Sequence, residues 1–171
     1  LNTTASNNTA VGYQAGYSNT TGTQSVLVGT QAGYANTTGN ITGVGFRSLY
    51  SHTTGFQNTG IGESAGYSIT TGSNITAIGY QAGYSIAVNP QLTAVGAYAA
   101  LYQTDVNDAF GYQAMRGASG TSTGYYNVAV GRQSMYSQTT GTNNVAMGMQ
   151  ALYSNTTASN NTAVGYQAGY Y

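Results

Sequence analysis

A three-residue step recurs along the whole chain: a small residue, then an apolar residue, then glycine. With that glycine as position 0, the spacings between successive glycines are 17, 16, 17, 17, 17, 15, 20, 17 and 17 residues, which define ten units. Position −1 is Val, Ile, Phe or Met in every unit, and we name these ten residues the apolar stripe. They are Val11, Val28, Val44, Ile61, Ile78, Val95, Phe110, Val130, Met147 and Val164.

Other positions of the unit are equally restricted. Position −2 is Ala or Gly except for Leu27, position +3 is always Ala or Ser, and a Thr-Thr-Gly triplet follows in most units. Position +5 is Tyr in eight units, which we name the tyrosine ladder: Tyr17, Tyr34, Tyr50, Tyr67, Tyr84, Tyr136, Tyr153 and Tyr170. Residues Asn2–Tyr17 recur unchanged as Asn155–Tyr170, so we expect the array to continue past both ends.

A 17-residue period without helical spacing is too short for a helical repeat of about 33 residues, but it suits one coil of a β-solenoid. We therefore predict a single all-β domain over residues 1–171, a parallel β-solenoid (β-roll) of ten coils with about 17 residues each. Each coil is expected to hold two strands, at positions −4 to −1 and about +1 to +5. The marker glycine predicts a bend or a close backbone approach, and the glycine of Thr-Thr-Gly a turn with positive φ.

The small residues at positions −2 and +3 predict a thin, flattened roll that encloses little apolar area, or several rolls packed tightly side by side. Ordering each residue costs roughly 1–2 kcal/mol, so further stabilisation must come from the ladder of backbone hydrogen bonds and from association along the apolar stripe. We expect a homo-oligomer, with three chains as the leading arrangement. The tyrosine ladder is expected to stack at about 4.8 Å per coil, for a rod about 48 Å long, or simply to cover a turn.

Composition excludes several classes of function. The 171 residues include three basic residues, all arginine, and three acidic residues, so the formal net charge is zero. Nucleic acid is not expected as a partner, because neutralising phosphates requires clustered Lys or Arg. The sequence contains no apolar run of about 18 residues, so no membrane span is predicted. The absence of cysteine is compatible with an extracellular or virion location without disulfides.

A search for chemical sites yields little. We predict no enzyme, no catalytic or cofactor-binding residue, no cofactor and no repeated metal site, since three carboxylates cannot serve ten coils. A single ion near Asp105 and Asp108 stays an alternative. His52 replaces Asn before a Thr-Thr-Gly triplet and is expected to be a surface turn residue. Eight Asn-x-Thr sequons are candidate glycosylation sites: Asn2, Asn7, Asn19, Asn36, Asn40, Asn74, Asn155 and Asn160.

Residues 85–127 are irregular coils. They contain the only proline, Pro90, a 15-residue unit and a 20-residue unit. One interpretation is repeat drift with bulging loops. The other is a receptor-contacting loop or a polar layer that sets the register between chains, formed by Asp108 with Arg116 or Arg132.

The segments NTAVGYQAGYSNTTG (residues 8–22), SVLVGTQAGY (25–34) and MQALYSNTT (149–157) carry a family resemblance. They resemble the head repeats of YadA-like trimeric autotransporter adhesins, and more closely the NTAVGYQALYSNTTG arrays of tail-fibre proteins of phages and bacteria. The resemblance spans essentially the whole chain. It implies a left-handed, trimeric parallel β-roll on a cell or virion surface that serves as a shaft or an adhesive head.

The leading functional prediction is therefore a structural segment of an extracellular or virion surface fibre. Its expected partners are copies of itself, in a homotrimer or filament, and host or surface glycans or a cell-surface receptor. The alternative is a self-assembling extracellular filament or matrix protein. Ice binding is only a minor alternative. A flat ice-binding face needs Thr at i and i+2 of one strand, whereas the adjacent Thr residues here are expected to lie in a turn.

Overall fold

One short β-strand from each unit forms the framework of the protein. The structure is a computed structural model, and it describes residues 4–85, 91–118 and 122–171. The strands in chain order are β1 (Thr9–Val11), β2 (Val26–Val28), β3 (Ile41–Val44), β4 (Asn58–Ile61), β5 (Thr76–Ile78), β6 (Thr93–Val95), β7 (Asn107–Phe110), β8 (Asn127–Val130), β9 (Val145–Met147) and β10 (Thr162–Val164).

The ten strands form one parallel sheet in sequential order, β1 to β10. Each strand pairs with its own counterpart in the next unit, so that Ala10 faces Leu27 and Leu27 faces Gly43. A chain that returns to the same position after every unit of about 17 residues is a β-solenoid, here of about nine turns between ten strands. The all-β parallel solenoid predicted from the repeat is thus confirmed.

The prediction of a second strand at positions +1 to +5 is wrong. This segment is a run of turns in which φ is positive at positions +2 and +4, as at Gln31 (59°) and Gly33 (55°). Alternate residues in the left-handed region cannot form a pleated strand. The bonds between coils nevertheless continue there, since Gln31 N donates to Tyr13 O at 2.8 Å and Gly33 N to Ser48 O at 2.9 Å. The coil therefore bends sharply while it stays bonded to both neighbours.

The marker glycines stack on one another at the end of the sheet. At Gly62 φ is +129°, and a Cβ built there would lie 2.6 Å from the carbonyl oxygen of Gly79 in the next coil. Both the dihedral angle and the approach of the next backbone require glycine, which confirms the predicted bend and close approach.

The glycine of the Thr-Thr-Gly triplet has a different role from the predicted one. None of the described triplet glycines has positive φ. At Gly39 a Cβ would instead collide with the carbonyl oxygen of Gly55, the corresponding residue of the next coil. The turn itself is closed by a side chain, because Asn36 Oδ1 accepts from Gly39 N at 3.1 Å and Asn36 Nδ2 donates to Gly39 O at 3.0 Å. Close packing of coils, and not a left-handed turn, selects glycine here.

The interior is narrow beside the strands. At position −2 it is filled by small side chains, and by one leucine whose neighbours are glycines. Position −2 points inward, and its alanines are fully buried from Ala77 to Ala146. Leu27, which replaces alanine at this position, is 1% exposed, and its methyl carbons occupy the space where a Cβ on Gly33 would lie. Gly43 faces Leu27 from the next strand. A large residue in one coil is thus accommodated by glycine in its neighbours, as expected for a close-packed core.

The irregular coils leave the sheet intact. Strands β6, β7 and β8 stay in register, with Ala94, Ala109 and Ala129 stacked on one another, although their units are 15 and 20 residues long. Pro90 lies outside the described residues. The change in unit length is therefore absorbed in the turns between strands. Among the described residues, none belongs to an apolar helix long enough to cross a membrane.

We predict that Gly62→Ala destabilises the solenoid more than Gly165→Ala. Both glycines have nearly the same φ, +129° and +127°, but nothing lies within 4 Å of a Cβ at Gly165. Gly165→Ala should therefore cost only the backbone strain of about 1–3 kcal/mol. Gly62→Ala adds about 1–3 kcal/mol of overpacking against the next coil. Guanidinium denaturation followed by circular dichroism measures both, and equal losses would contradict a steric role for the stack.

Candidate interaction surface

The apolar stripe lies on the outer face of the sheet. Because side chains alternate along a strand, the inward position −2 places positions −1 and −3 outside. Val11, Ile61, Phe110, Met147 and Val164 are between 39% and 67% exposed. Val28, Val44, Ile78, Val95 and Val130 are half-buried. The solenoid therefore presents one branched or bulky apolar side chain per coil to its surroundings.

A second apolar row, which the sequence analysis missed, follows directly after the marker glycine at position +1. Its exposed members are Tyr13, Phe46, Tyr80, Tyr112, Met149 and Tyr166. The other units carry Thr30, Glu63, Ala97 and Arg132 there. The row could have been found by tabulating position +1, where six of ten residues are large and apolar. Together with the stripe it widens the exposed apolar band.

The tyrosine ladder forms two stacks of rings. Tyr17, Tyr34, Tyr50, Tyr67 and Tyr84 stack at 5.0–5.2 Å between centroids, with interplanar angles of 3–11°. The second stack contains Tyr136, Tyr153 and Tyr170 at 5.0 Å. Burial raises the pKa of Tyr153, and its neighbours Tyr136 and Tyr170 raise this pKa further.

The stacking limits how the ladder can contact a saccharide. Tyr34, Tyr50 and Tyr67 each have a tyrosine ring on both faces. Ring edges and hydroxyls are therefore the groups left for a ligand, and a sugar cannot stack on the faces of these inner rungs. Glycan contact on this surface would depend on hydrogen bonds.

An arginine occupies the gap between the two stacks. The guanidinium of Arg116 lies 5.3 Å from the ring centre of Tyr102 and 5.5 Å from that of Tyr136, and its Nη1 donates to Tyr136 Oη at 3.3 Å.

The other two residues of the predicted polar layer are exposed. Arg132 lies over the ring of Tyr112, and Asp108 lies on β7. The contacts shown for Arg116 and Arg132 are thus with tyrosine rings. A polar layer formed between chains stays a prediction.

A ladder of asparagines runs through the interior at position −4, and the sequence analysis missed it as well. Asn127 Nδ2 donates to Asn107 Oδ1 at 3.1 Å, and Asn144 Nδ2 donates to Asn127 Oδ1 at 3.0 Å. The same amides bind the backbone, since Asn144 N donates to Asn127 Oδ1 and Asn127 Nδ2 donates to Gly141 O, both at 2.9 Å. These bonds satisfy buried polar groups that an aliphatic side chain would leave unpaired.

The predicted surface location of His52 is wrong. This side chain is completely buried at position +7, in the column that also contains the buried Asn36, Ile69 and Gln138. The reason is that position +7 faces the interior behind the Thr-Thr-Gly turn, so a polar residue there bonds inward. Asn19, Asn36 and Asn155 are buried in the same column, which places three sequon asparagines inside the solenoid.

Side chains that could bind a metal ion do not converge among the described residues. Within residues 4–85, 91–118 and 122–171, no three His, Cys, Asp or Glu side chains come together as a metal-binding group. Glu63 and Asp108 are both exposed.

Comparison with known proteins identifies no relative of this chain. No family model matches it, and no curated protein or solved structure matches it.

We predict that Asn127→Ala destabilises the protein by about 2–4 kcal/mol, because it leaves the buried N–H of Asn144 without a partner and removes the side-chain bonds to Asn107, Gly141 and Asn144. Asn161→Ala is the matched control. Asn161 is half-exposed and its side chain makes one bond, to Asn144 Oδ1 at 3.0 Å. Its loss should cost about 1 kcal/mol. Denaturation midpoints of the two variants give the comparison, and a loss for Asn161→Ala as large as that for Asn127→Ala would refute the ladder.

Tyr67→Leu should remove two ring stacks, with Tyr50 and Tyr84, each worth about 0.5–1.5 kcal/mol beyond the buried area. Leucine already occupies this position of the unit at Leu101. Tyr17→Leu removes one stack, with Tyr34, and serves as the control. We expect about twice the loss of stability for Tyr67→Leu, with a larger change in near-ultraviolet circular dichroism. Equal effects would indicate that the rings merely cover the turn.

Proposed function

We propose that this chain is a structural segment of an extracellular or virion surface fibre, in which copies of the chain pack together through the apolar stripe. The observation that carries the proposal is the placement of side chains. On the strands, the alanines of position −2 lie inside the solenoid, whereas the Val, Ile, Phe and Met of position −1 lie on its outer face. Soluble proteins rarely expose contiguous apolar patches of this kind unless a partner covers them.

The repeated bonding between coils supports a role as a rigid rod. Backbone hydrogen bonds join neighbouring coils at the strand, at the bend and at the tyrosine segment, as in Gly45 N to Val28 O at 2.8 Å and Ser51 N to Tyr67 O at 3.0 Å. Side-chain ladders of Asn, Gln and Tyr run parallel to them. Each coil is thus tied to the next at several points, which resists bending of the array.

Three copies around one axis is the arrangement that we propose, by analogy with the fibre and adhesin repeats that the sequence resembles. The stripe contains no charged residue. Charged side chains stand beside it, with Asp108 at position −3 of β7 and Arg132 at position +1 after β8, both exposed. Opposite charges at the rim of an apolar contact can set the register between copies. Glycan or receptor contact through the hydroxyls and amides of the remaining surface is the adhesive part of this proposal.

Threonine hydroxyls of the Thr-Thr-Gly turns give no support to ice binding. Thr37 Oγ1 donates to Thr53 O, and Thr53 Oγ1 donates to Thr70 O, each at 3.0 Å. These hydroxyls belong to the bonds between coils. The alternative of a self-assembling filament shares the stripe as its contact surface and differs in whether association stops at a defined number of copies.

Light scattering of the purified segment tests the proposal. We expect a β-rich species of three chain masses, and a monomer or unfolded chain for Ile61→Asp, because that carboxylate would be buried between copies. Thr71→Asp is the control, since Thr71 is exposed at position +9, ten residues along the chain from Ile61. This variant should keep the wild-type mass.

A folded wild-type monomer that is unaffected by Ile61→Asp would overturn the assembly part of the proposal. Open-ended growth into fibres would favour the filament instead. Electron microscopy of the same samples distinguishes short rods of one length from growing filaments.

A further inference from the structure

His52 is a buried imidazole held between two asparagines of neighbouring coils. Its exposed fraction is 0%. Its Nδ1 lies 3.2 Å from Asn36 Oδ1, and its Nε2 lies 2.9 Å from Asn58 Nδ2. The ring therefore connects the coil before it to the strand β4 after it.

Backbone partners fix the orientation of both amides. Asn58 Nδ2 donates to Gly72 O at 2.6 Å, and Asn58 Oδ1 accepts from Ile75 N at 2.9 Å. Asn36 is bound in both directions to Gly39. A rotation of either amide would set N–H against N–H and C=O against C=O. Asn36 therefore presents an acceptor to Nδ1, and Asn58 presents a donor to Nε2, which selects the neutral ring with its proton on Nδ1.

We propose that His52 is a proton-sensitive junction, at which acidification opens the interior between the coils of Asn36 and Asn58 while the rest of the array stays closed. A proton on Nε2 would point at the amide N–H groups of Asn58. To remove this repulsion the amide of Asn58 must rotate, and the rotation breaks its hydrogen bonds to Gly72 and Ile75 in the following coil. One proton thus disturbs the contacts between three consecutive coils. This inference holds whether or not the array serves as a fibre.

The surroundings offer the imidazolium no compensation. Asn36 and Asn58 are neutral, and the ring also lies close to the backbones of Gly39 and Gly55. Arg47, the cation of the same coil, lies outside over Phe46 and Tyr50, and Glu63 is exposed. Burial alone lowers the pKa of His52 from 6.5 to about 4. Because the unfolded chain binds this proton more tightly, stability is complete above pH 6.5 and falls as the pH decreases toward 4.

Nuclear magnetic resonance of the imidazole is the direct test, since His52 is the only histidine in the chain. With ¹⁵N-labelled histidine, we expect the Nδ1–H tautomer at pH 7 and no titration until the pH approaches 4. A ring that titrates near pH 6.5, or that carries its proton on Nε2, would overturn the proposal.

His52→Asn supplies the matched control, because asparagine occupies the same position at Asn36 and closes the turn there. Between pH 7.5 and 4.5 the folding equilibrium constant of the wild type should fall roughly 50- to 100-fold more than that of the variant. Both proteins contain the same three carboxylates, so their contribution cancels. Parallel pH profiles for the two proteins would contradict the proposal.

Hydrogen exchange locates the opening. After correction for the intrinsic pH dependence of exchange, acid should deprotect residues 36–75 of the wild type and leave residues 127–164, which contain no histidine, protected. Uniform loss of protection along the chain would show that acid acts globally and not at His52.

Discussion

The structure depends on how closely one coil approaches the next. Marker glycines and triplet glycines stand directly above their own counterparts, and a single added methyl group at Gly62 or Gly39 would meet a backbone carbonyl of the next coil. At position −2 the interior therefore holds alanine or glycine, and a leucine at Leu27 where glycine faces it. Larger apolar side chains are buried at other positions of the unit, as at Ile75 and Met115, but the stripe at position −1 points away from this interior. The outer face of the sheet consequently stays apolar, and this property connects the fold to the proposed assembly.

Polar ladders take the place of a wide apolar core. In Asn107, Asn127 and Asn144 each amide satisfies a backbone group and also the next amide, so that one residue type repeated in register stabilises the coils from β7 to β10 in the same way. Such networks strengthen a structure only when all members are satisfied. His52 interrupts the corresponding column at position +7 with a group that satisfies its neighbours in one protonation state only. The regularity that stabilises the array therefore also makes it sensitive at this position.

Sequence periodicity was sufficient to predict the parallel solenoid and its register, because the marker glycine identifies the same backbone position in every unit. It was not sufficient for the segment after the glycine. Gln31 and Gln81 there have positive φ, a conformation that glutamine does not signal, and a strand was predicted in place of turns. The column of Asn36 and His52 was assigned to the surface because polar residues beside Thr and Gly resemble an exposed turn. The position −4 ladder was overlooked since Asn alternates there with Ile41, Ile75 and Leu92, so neither hydrophobicity nor polarity alone marks it as buried.

The central claim is that the outer face of the sheet is covered by copies of the same chain. The chain contains no cysteine, so a single introduced thiol reports its own surroundings. Oxidation of Ile61→Cys should give disulfide-linked pairs of chains in high yield at low protein concentration, since the stripe residues of neighbouring copies face one another, while Thr71→Cys should stay unlinked. Equal, concentration-dependent cross-linking of the two variants would mean that the stripe faces solvent, and the account of a fibre assembled through it would be wrong.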